Sequence, residues 1–305
     1  MTFSRSSGVN PAAHLMRYAT YASVTVAGLL IATKFAAWLA TDSVSLMSTL
    51  IDSILDAAAS LINLAAVRHA LEPADREHRF GHGKAEALAG LAQSAFIVGS
   101  AMFLLIEAGQ RAFHPKAIEH SEVGYAVMAF SILLTAILVI FQRYVVRRSG
   151  SVAISADSLH YQTDILINLS VIVSLFLASQ LGLEWADPLF AVGIAAYIIH
   201  SAWQIGTEVF QILMDRELSD EDRRRIGEIA LGESGVSGMH DLRTRSSGSQ
   251  VFIQLHLQMD GEMKLKQAHE IADVVELKIS AAFKNAEVIV HQDPDGLDED
   301  HREFH

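Results

Sequence analysis

Apolar residues in this chain come in long, nearly charge-free blocks that stop about two-thirds of the way along. Six blocks reach the roughly 20 residues needed to cross a bilayer core: about 16–40, 44–69, 86–109, 122–146, 153–180 and 188–213. After Leu213 the periodicity changes. "SDEDRRRIGEIALGE" offers Ser219 as the N-cap of a helix. "GMHDLRTR" and the strictly alternating "QVFIQLHLQMD" flank "SSGS" and predict a hairpin. "LKQAHEIADVVELKISAAF" has helical spacing, and "AEVIVHQDP" reads as a short strand. The predicted class is a membrane α-helical protein with six transmembrane helices over 16–213 and a small two-layer α+β domain over 214–294. Residues 1–15 form an N-terminal tail, and 295–305 read as disordered.

Positive charge orients the spans. The linkers "VRHALEPADREHRFGHGK" and "QRYVVRRSGS" are basic, whereas "ATDS", "RAFHPKAIEHSE" and "GLEWADP" are poorer in Lys and Arg. Both termini and the basic linkers are therefore expected on the cytoplasmic side. The N-terminal stretch lacks the short apolar core and small-residue cleavage site of a removable signal.

Composition adds exclusions. The chain of 305 residues is 51% hydrophobic and contains no cysteine, so disulfides and thiolate metal sites are ruled out. Net charge is −12, and residues 214–305 hold 20 Asp and Glu against 11 Lys and Arg. That balance argues against nucleic acid as a partner. There is no GxxxxGK[ST] loop, so no nucleotide-driven engine is expected.

Against that apolar background the intramembrane acids stand out. Asp52 and Asp56 lie four residues apart on the second span; His160 and Asp164 repeat that spacing on the fifth. Such pairs share a helix face. A charged residue at the bilayer centre costs roughly 2.5–3.5 kcal/mol on insertion scales. At about 1.5 Å rise per residue, both pairs reach mid-depth from opposite surfaces. A shift of 108 lays Asp52 on His160 and Asp56 on Asp164, a faint echo of an inverted repeat. Three carboxylates and one imidazole could surround one divalent cation. Interhelical hydrogen bonding is the bland alternative, but Asn and Ser would supply it more cheaply than three acids with no basic partner in register. Asp157, one turn nearer the cytoplasm, reads as an entrance or supporting group. Ligands must be deprotonated to bind metal, and histidine titrates near neutrality, so metal exchange for protons follows.

Two further clusters carry donor atoms. Asp75, His78 and His82 lie in the Gly-containing linker between the second and third spans, where spacings of three and four could surround an ion or simply be solvated. In the C-terminal domain, alternation sets His256 opposite the row Val251, Ile253, Leu255 and Leu257, and puts His291 and Asp293 on one face of the last strand. A metal patch and ordinary surface histidines remain equal alternatives there, with His240 and His269 as further members. "HEIAD" at 269–273 is not HExxH, so a zinc-protease reading fails. His14, His69, His114, His120, His200, His301 and His305 lack partners at useful spacing.

These residues together resemble the cation diffusion facilitator family, especially its bacterial zinc and iron exporters. The resemblance rests on six spans, "DSILD" with "HYQTD", "DREHRFGHGKAE", and "HDLRTR", "HLQMD", "AHEIAD" and "VIVHQDP". It implies a Y-shaped homodimer in the bacterial inner membrane, divalent metal/proton exchange, and a ferredoxin-like (αββαβ) cytoplasmic domain. By position, Asp52, Asp56, His160 and Asp164 match the transport site, and Asp75, His78 and His82 the loop site. His240, His256, His269, His291 and Asp293 match a binuclear site in which one carboxylate bridges two ions. Lys84 and Asp215 match an interprotomer salt bridge. The expected cargo is Zn²⁺, suited by one imidazole among carboxylates, with Fe²⁺ and Cd²⁺ as further cargo and H⁺ as coupling ion; Mn²⁺ is disfavoured. A membrane-anchored metal-binding or sensing protein is the alternative, and a membrane metalloenzyme ranks third.

Overall fold

A computed structural model describes residues 11–42, 44–113, 122–181 and 186–296. Ser43, the segments 114–121 (with His114 and His120) and 182–185, most of the expected tails, His301 and His305 lie outside the described residues.

The apolar blocks form helices α1 (Pro11–Thr41), α2 (Val44–Ala70), α3 (Lys84–Phe113), α4 (Glu122–Ser149), α5 (Val152–Leu181) and α6 (Ala186–Leu213). Among the described residues, five are long and apolar enough to cross a membrane: those containing Ala12–Thr41, Thr49–Ala70, Lys84–Gln110, Tyr125–Ser149 and Pro188–Leu213. The remaining one, α5, has 30 residues. Its N-terminal half carries Asp157, His160, Gln162 and Asp164, and an apolar stretch follows from Ile165 to Leu181.

Side chains that would be stranded in water turn outward here. Ile140, Trp203, Phe103 and Leu133 are exposed on the helix surfaces, as lipid contact requires. Inside, small residues let helices approach. α1 packs on α2 and α4, and α5 on α3 and α4. A Cβ on Gly90 would come within 3.1 Å of Val209 Cγ2 and 3.5 Å of the Val152 carbonyl oxygen, so glycine sets how closely α3 meets α5 and α6. Ile97 and Ala101 of α3, Leu159 of α5, and Ala195, Ile198 and Ala202 of α6 form one buried cluster.

The chain divides into two compact units, residues 1–210 and 211–305. In the second, α7 (Asp220–Leu231), β1 (Gly238–Ser247), β2 (Gln250–Met259), α8 (Leu265–Ala282) and β3 (Ala286–Pro294) follow the predicted α-β-β-α-β order. Ser219 caps α7, its hydroxyl accepting from the Asp222 N–H at 3.1 Å. The sheet order is β1-β2-β3, antiparallel then parallel. α8 makes the crossover a parallel pair needs. Ile253, Leu255 and Leu257 of β2 pack on Ile226 and Ala230 of α7 and on Ala272, Val275 and Ile279 of α8, giving a two-layer core. One residue breaks the ladder. A bulge between His240 and Arg243 places Asp241 at φ 48°, a left-handed conformation that aspartate tolerates.

Candidate metal centres

The antiparallel helices α2 and α5 bring their polar faces together. His160 Nε2 lies 2.9 Å from Asp56 Oδ1. A ligand atom of Asp164 joins them, and all three atoms fall within 4.8 Å of one another. His160 is 5% exposed, with Phe96 and Tyr161 against its ring at 5.9 and 5.5 Å. Two oxygens and one nitrogen at this separation suit a divalent cation that accepts mixed N/O ligands. Asp52, expected as the fourth ligand, is not in this group; its side chain is exposed one turn along α2.

Lys34 and Glu86, near this centre, escape sequence reasoning. Lys34 of α1 donates to Ser53 Oγ at 2.6 Å and to the Thr49 carbonyl at 3.2 Å. Its ammonium feels the charges of Asp164, Asp56 and Asp52. Spacing within α2 and α5 offers no basic residue in register; Lys34 comes from a different helix, and its bonds go to Ser53 and Thr49. Asp157, expected as an entrance or supporting group, is buried at 1% exposure. Its Oδ2 accepts from Gln142 Nε2 at 2.7 Å and from the Ser23 hydroxyl, which tie it to α4 and α1. Glu86 of α3, 3% exposed, faces the start of α5 at Ser151, Val152 and Ala153, where a carboxylate complements the helix N-terminus.

In the loop after α2, Asp75 Oδ1 accepts from the His78 N–H at 2.6 Å and the Glu77 N–H at 2.9 Å. These bonds, the His78 one foremost, hold the Asp75 carboxyl below the ordinary aspartate range. His78 Nδ1 and His82 Nε2 each lie 3.4 Å from Asp75, and Gly81 makes the turn at φ 75°. The three predicted residues thus converge. His69, which spacing left without a partner, also stacks near His82, with ring centroids 4.4 Å apart.

The C-terminal domain aligns three histidines across its sheet. His240 pairs with His256, and His256 with His291, in direct register. Asp293 sits among them: Oδ2 is 2.8 Å from His256 Nδ1 and 3.2 Å from His240 Nε2, while Oδ1 is 3.1 Å from His291 Nε2. The β1 bulge matters here. Continuing the register beyond Thr244 without it would place Asp241, not His240, opposite His256. His269 does not join the group; it is exposed on α8, 3.6 Å from Asp273. Asp215 pairs with Arg245 of its own chain at 3.3 Å, and Lys84 is the first residue of α3.

The description of a cation efflux transmembrane domain matches residues 20–214, and that of a cation efflux protein's cytoplasmic domain matches 218–295. The chain belongs to the cation diffusion facilitator family. It is 48% identical to the cation-efflux pump FieF of Shewanella oneidensis over 279 residues, 92% of this chain and 94% of that one. It is likewise 48% identical to the Pectobacterium carotovorum protein of the same name over 289 residues, 94% and 95% of the two chains. Membership makes this a membrane transporter of divalent metal cations and not an enzyme.

Proposed function

We propose that the chain exports Zn²⁺, with Fe²⁺ and Cd²⁺ as further cargo, from the cytoplasm in exchange for protons. The observation that carries this reading is the convergence of Asp56, His160 and Asp164 from α2 and α5. Asp52 completes the site as the fourth ligand: it shares a helix face with Asp56 and reaches the ion by a change of side-chain conformation. With the ion released, protons on His160 and the carboxylates relieve the buried repulsion. Metal from one side and protons from the other then compete for the same lone pairs.

The Lys34 ammonium lies near the carboxylates and weakens their hold on a dication, favouring release. The protein acts as a homodimer in a bacterial inner membrane with both termini cytoplasmic, Lys84 meeting Asp215 of the partner subunit at the membrane surface. The cluster of His240, His256, His291 and Asp293 holds regulatory or structural ions. Asp293 presents one oxygen to His291 and the other to His240 and His256, the geometry a bridging carboxylate needs.

Zn²⁺ flux in proteoliposomes, with and without an imposed pH gradient, tests the exchange. Flux should rise with an opposing proton gradient and vanish in Asp56→Ala while the protein stays folded. Gradient-independent flux, or normal flux in that variant, overturns the reading.

A further inference from the structure

The loop after α2 contains more donors than the Asp75, His78 and His82 triad uses. A second group, His69, Glu72 and His82, also offers three ligand atoms within 4.8 Å of one another. His69 Nδ1 and Glu72 Oε2 are 2.8 Å apart, at the last turn of α2 and the residue pair just beyond it. The His69 ring is 4.4 Å from His82 and the His78 ring 4.7 Å from it, so His82 stands between the two groups.

His82 is the informative residue. It is 8% exposed, while His69, Glu72, Asp75 and His78 are open to water. Its Nε2 faces Asp75 at 3.4 Å, and its Nδ1 is buried with no hydrogen bond among the described residues. A buried imidazole nitrogen without a partner is costly. A metal ion satisfies it, and two imidazoles with one carboxylate are the donor set of a three-ligand zinc position. We propose that His69 and Glu72 form with His82 a second divalent-metal position, sharing His82 with the proposed Asp75 position, so that an ion in this loop can be held on either side of that ring. The inference rests on the reading of this loop as metal-binding. It adds one ligand, His69, on α2, the helix that also carries Asp56, about 20 Å away at a rise of about 1.5 Å per residue.

The test uses full-length protein stripped with chelator, reloaded with Zn²⁺, dialysed, and assayed for bound metal per chain. Four proteins are compared with wild type: His82→Ala; Asp75→Ala/His78→Ala; His69→Ala/Glu72→Ala; and the quadruple variant. Circular dichroism and size-exclusion profiles check folding, and His69→Gln/Glu72→Gln replaces the alanine pair if that pair is unstable. Asp75→Ala/His78→Ala should retain more metal than His82→Ala, and adding His69→Ala/Glu72→Ala should bring it down to the His82→Ala level. If Asp75→Ala/His78→Ala already equals His82→Ala, the loop binds through its first triad alone and the second position does not exist. If His82→Ala equals wild type, the loop holds no ion, and the loop reading falls together with this one.

Discussion

His160 Nε2 and Asp56 Oδ1 are 2.9 Å apart although 104 residues separate them in sequence. Only the antiparallel crossing of α2 and α5 makes that contact, and it turns two unfavourable buried groups into one pair of ligands. Replacing His160 by Asp keeps a donor but converts the site to all-oxygen chemistry. Oxygen-only sites suit harder ions, so His160→Asp should shift preference toward Mn²⁺ in a competition flux assay. Unchanged ion preference would separate the imidazole from selectivity.

Lys34 is a second lever on the same centre. A unit charge one helix spacing away interacts by roughly 2 kcal/mol at an effective dielectric near 20. Lys34→Met should therefore tighten Zn²⁺ binding about tenfold or more and slow turnover, because release becomes harder. Calorimetry on detergent-solubilised protein and flux in vesicles read the two effects. Equal affinity in wild type and variant would show that Lys34 serves only its bonds to Ser53 and Thr49.

Glu86 of α3 is buried against the start of α5. Removing an acid from a helix N-terminus costs about 0.3–1 kcal/mol, up to about 2 where partly buried, and His160 lies about two turns further along α5. Glu86→Ala should lower the thermal unfolding midpoint in detergent by a few degrees, roughly 2–4 °C per kcal/mol, and should reduce flux more than it reduces Zn²⁺ affinity. An unshifted midpoint would mean that Glu86 contributes nothing to the start of α5.

Asp293 is the shared carboxylate of the C-terminal histidine row. Its replacement by Ala should cut metal binding by the cytoplasmic domain by more than the ~10–100-fold typical of supporting residues. The core of Ile253, Leu255, Leu257, Val275 and Ile279 lies on the opposite side of the sheet and should remain intact. Metal binding by dialysis and circular dichroism of the same sample separate the two outcomes.

Glu233, in the turn after α7, accepts a hydrogen bond from the Lys278 ammonium, which holds its carboxyl below the ordinary glutamate range. A depressed value stabilises the fold above the ordinary glutamate pKa of about 4.3. That contribution is lost as pH falls through the lower folded value. Lys278→Ala should return Glu233 to the ordinary range in an NMR titration and remove this part of the acid dependence. A titration unchanged by the substitution would assign the shift to the neighbouring backbone instead.

Much of this protein is legible in its sequence because two periodicities are strong. Blocks of apolar residues long enough to cross lipid fix where the membrane helices are. Strict alternation in β2 fixes which of its residues enter the core and leaves His256 on the other face. The four-residue spacing of Asp52 with Asp56 and of His160 with Asp164 announces polar faces, since nothing local compensates a buried acid. Which of those groups meet is another matter, because contacts between distant segments depend on helix rotation and crossing. The fold joined Asp56, His160 and Asp164, left Asp52 outside that group, and turned Asp157 inward to Ser23 and Gln142. It also introduced Lys34 from α1, used one bulge residue, Asp241, to align His240 with His256, and set His69 against His82. Sequence determines the elements because they follow from neighbours along the chain; the fold decides the centres because each ligand is supplied by a segment the others cannot see until the helices and strands have packed.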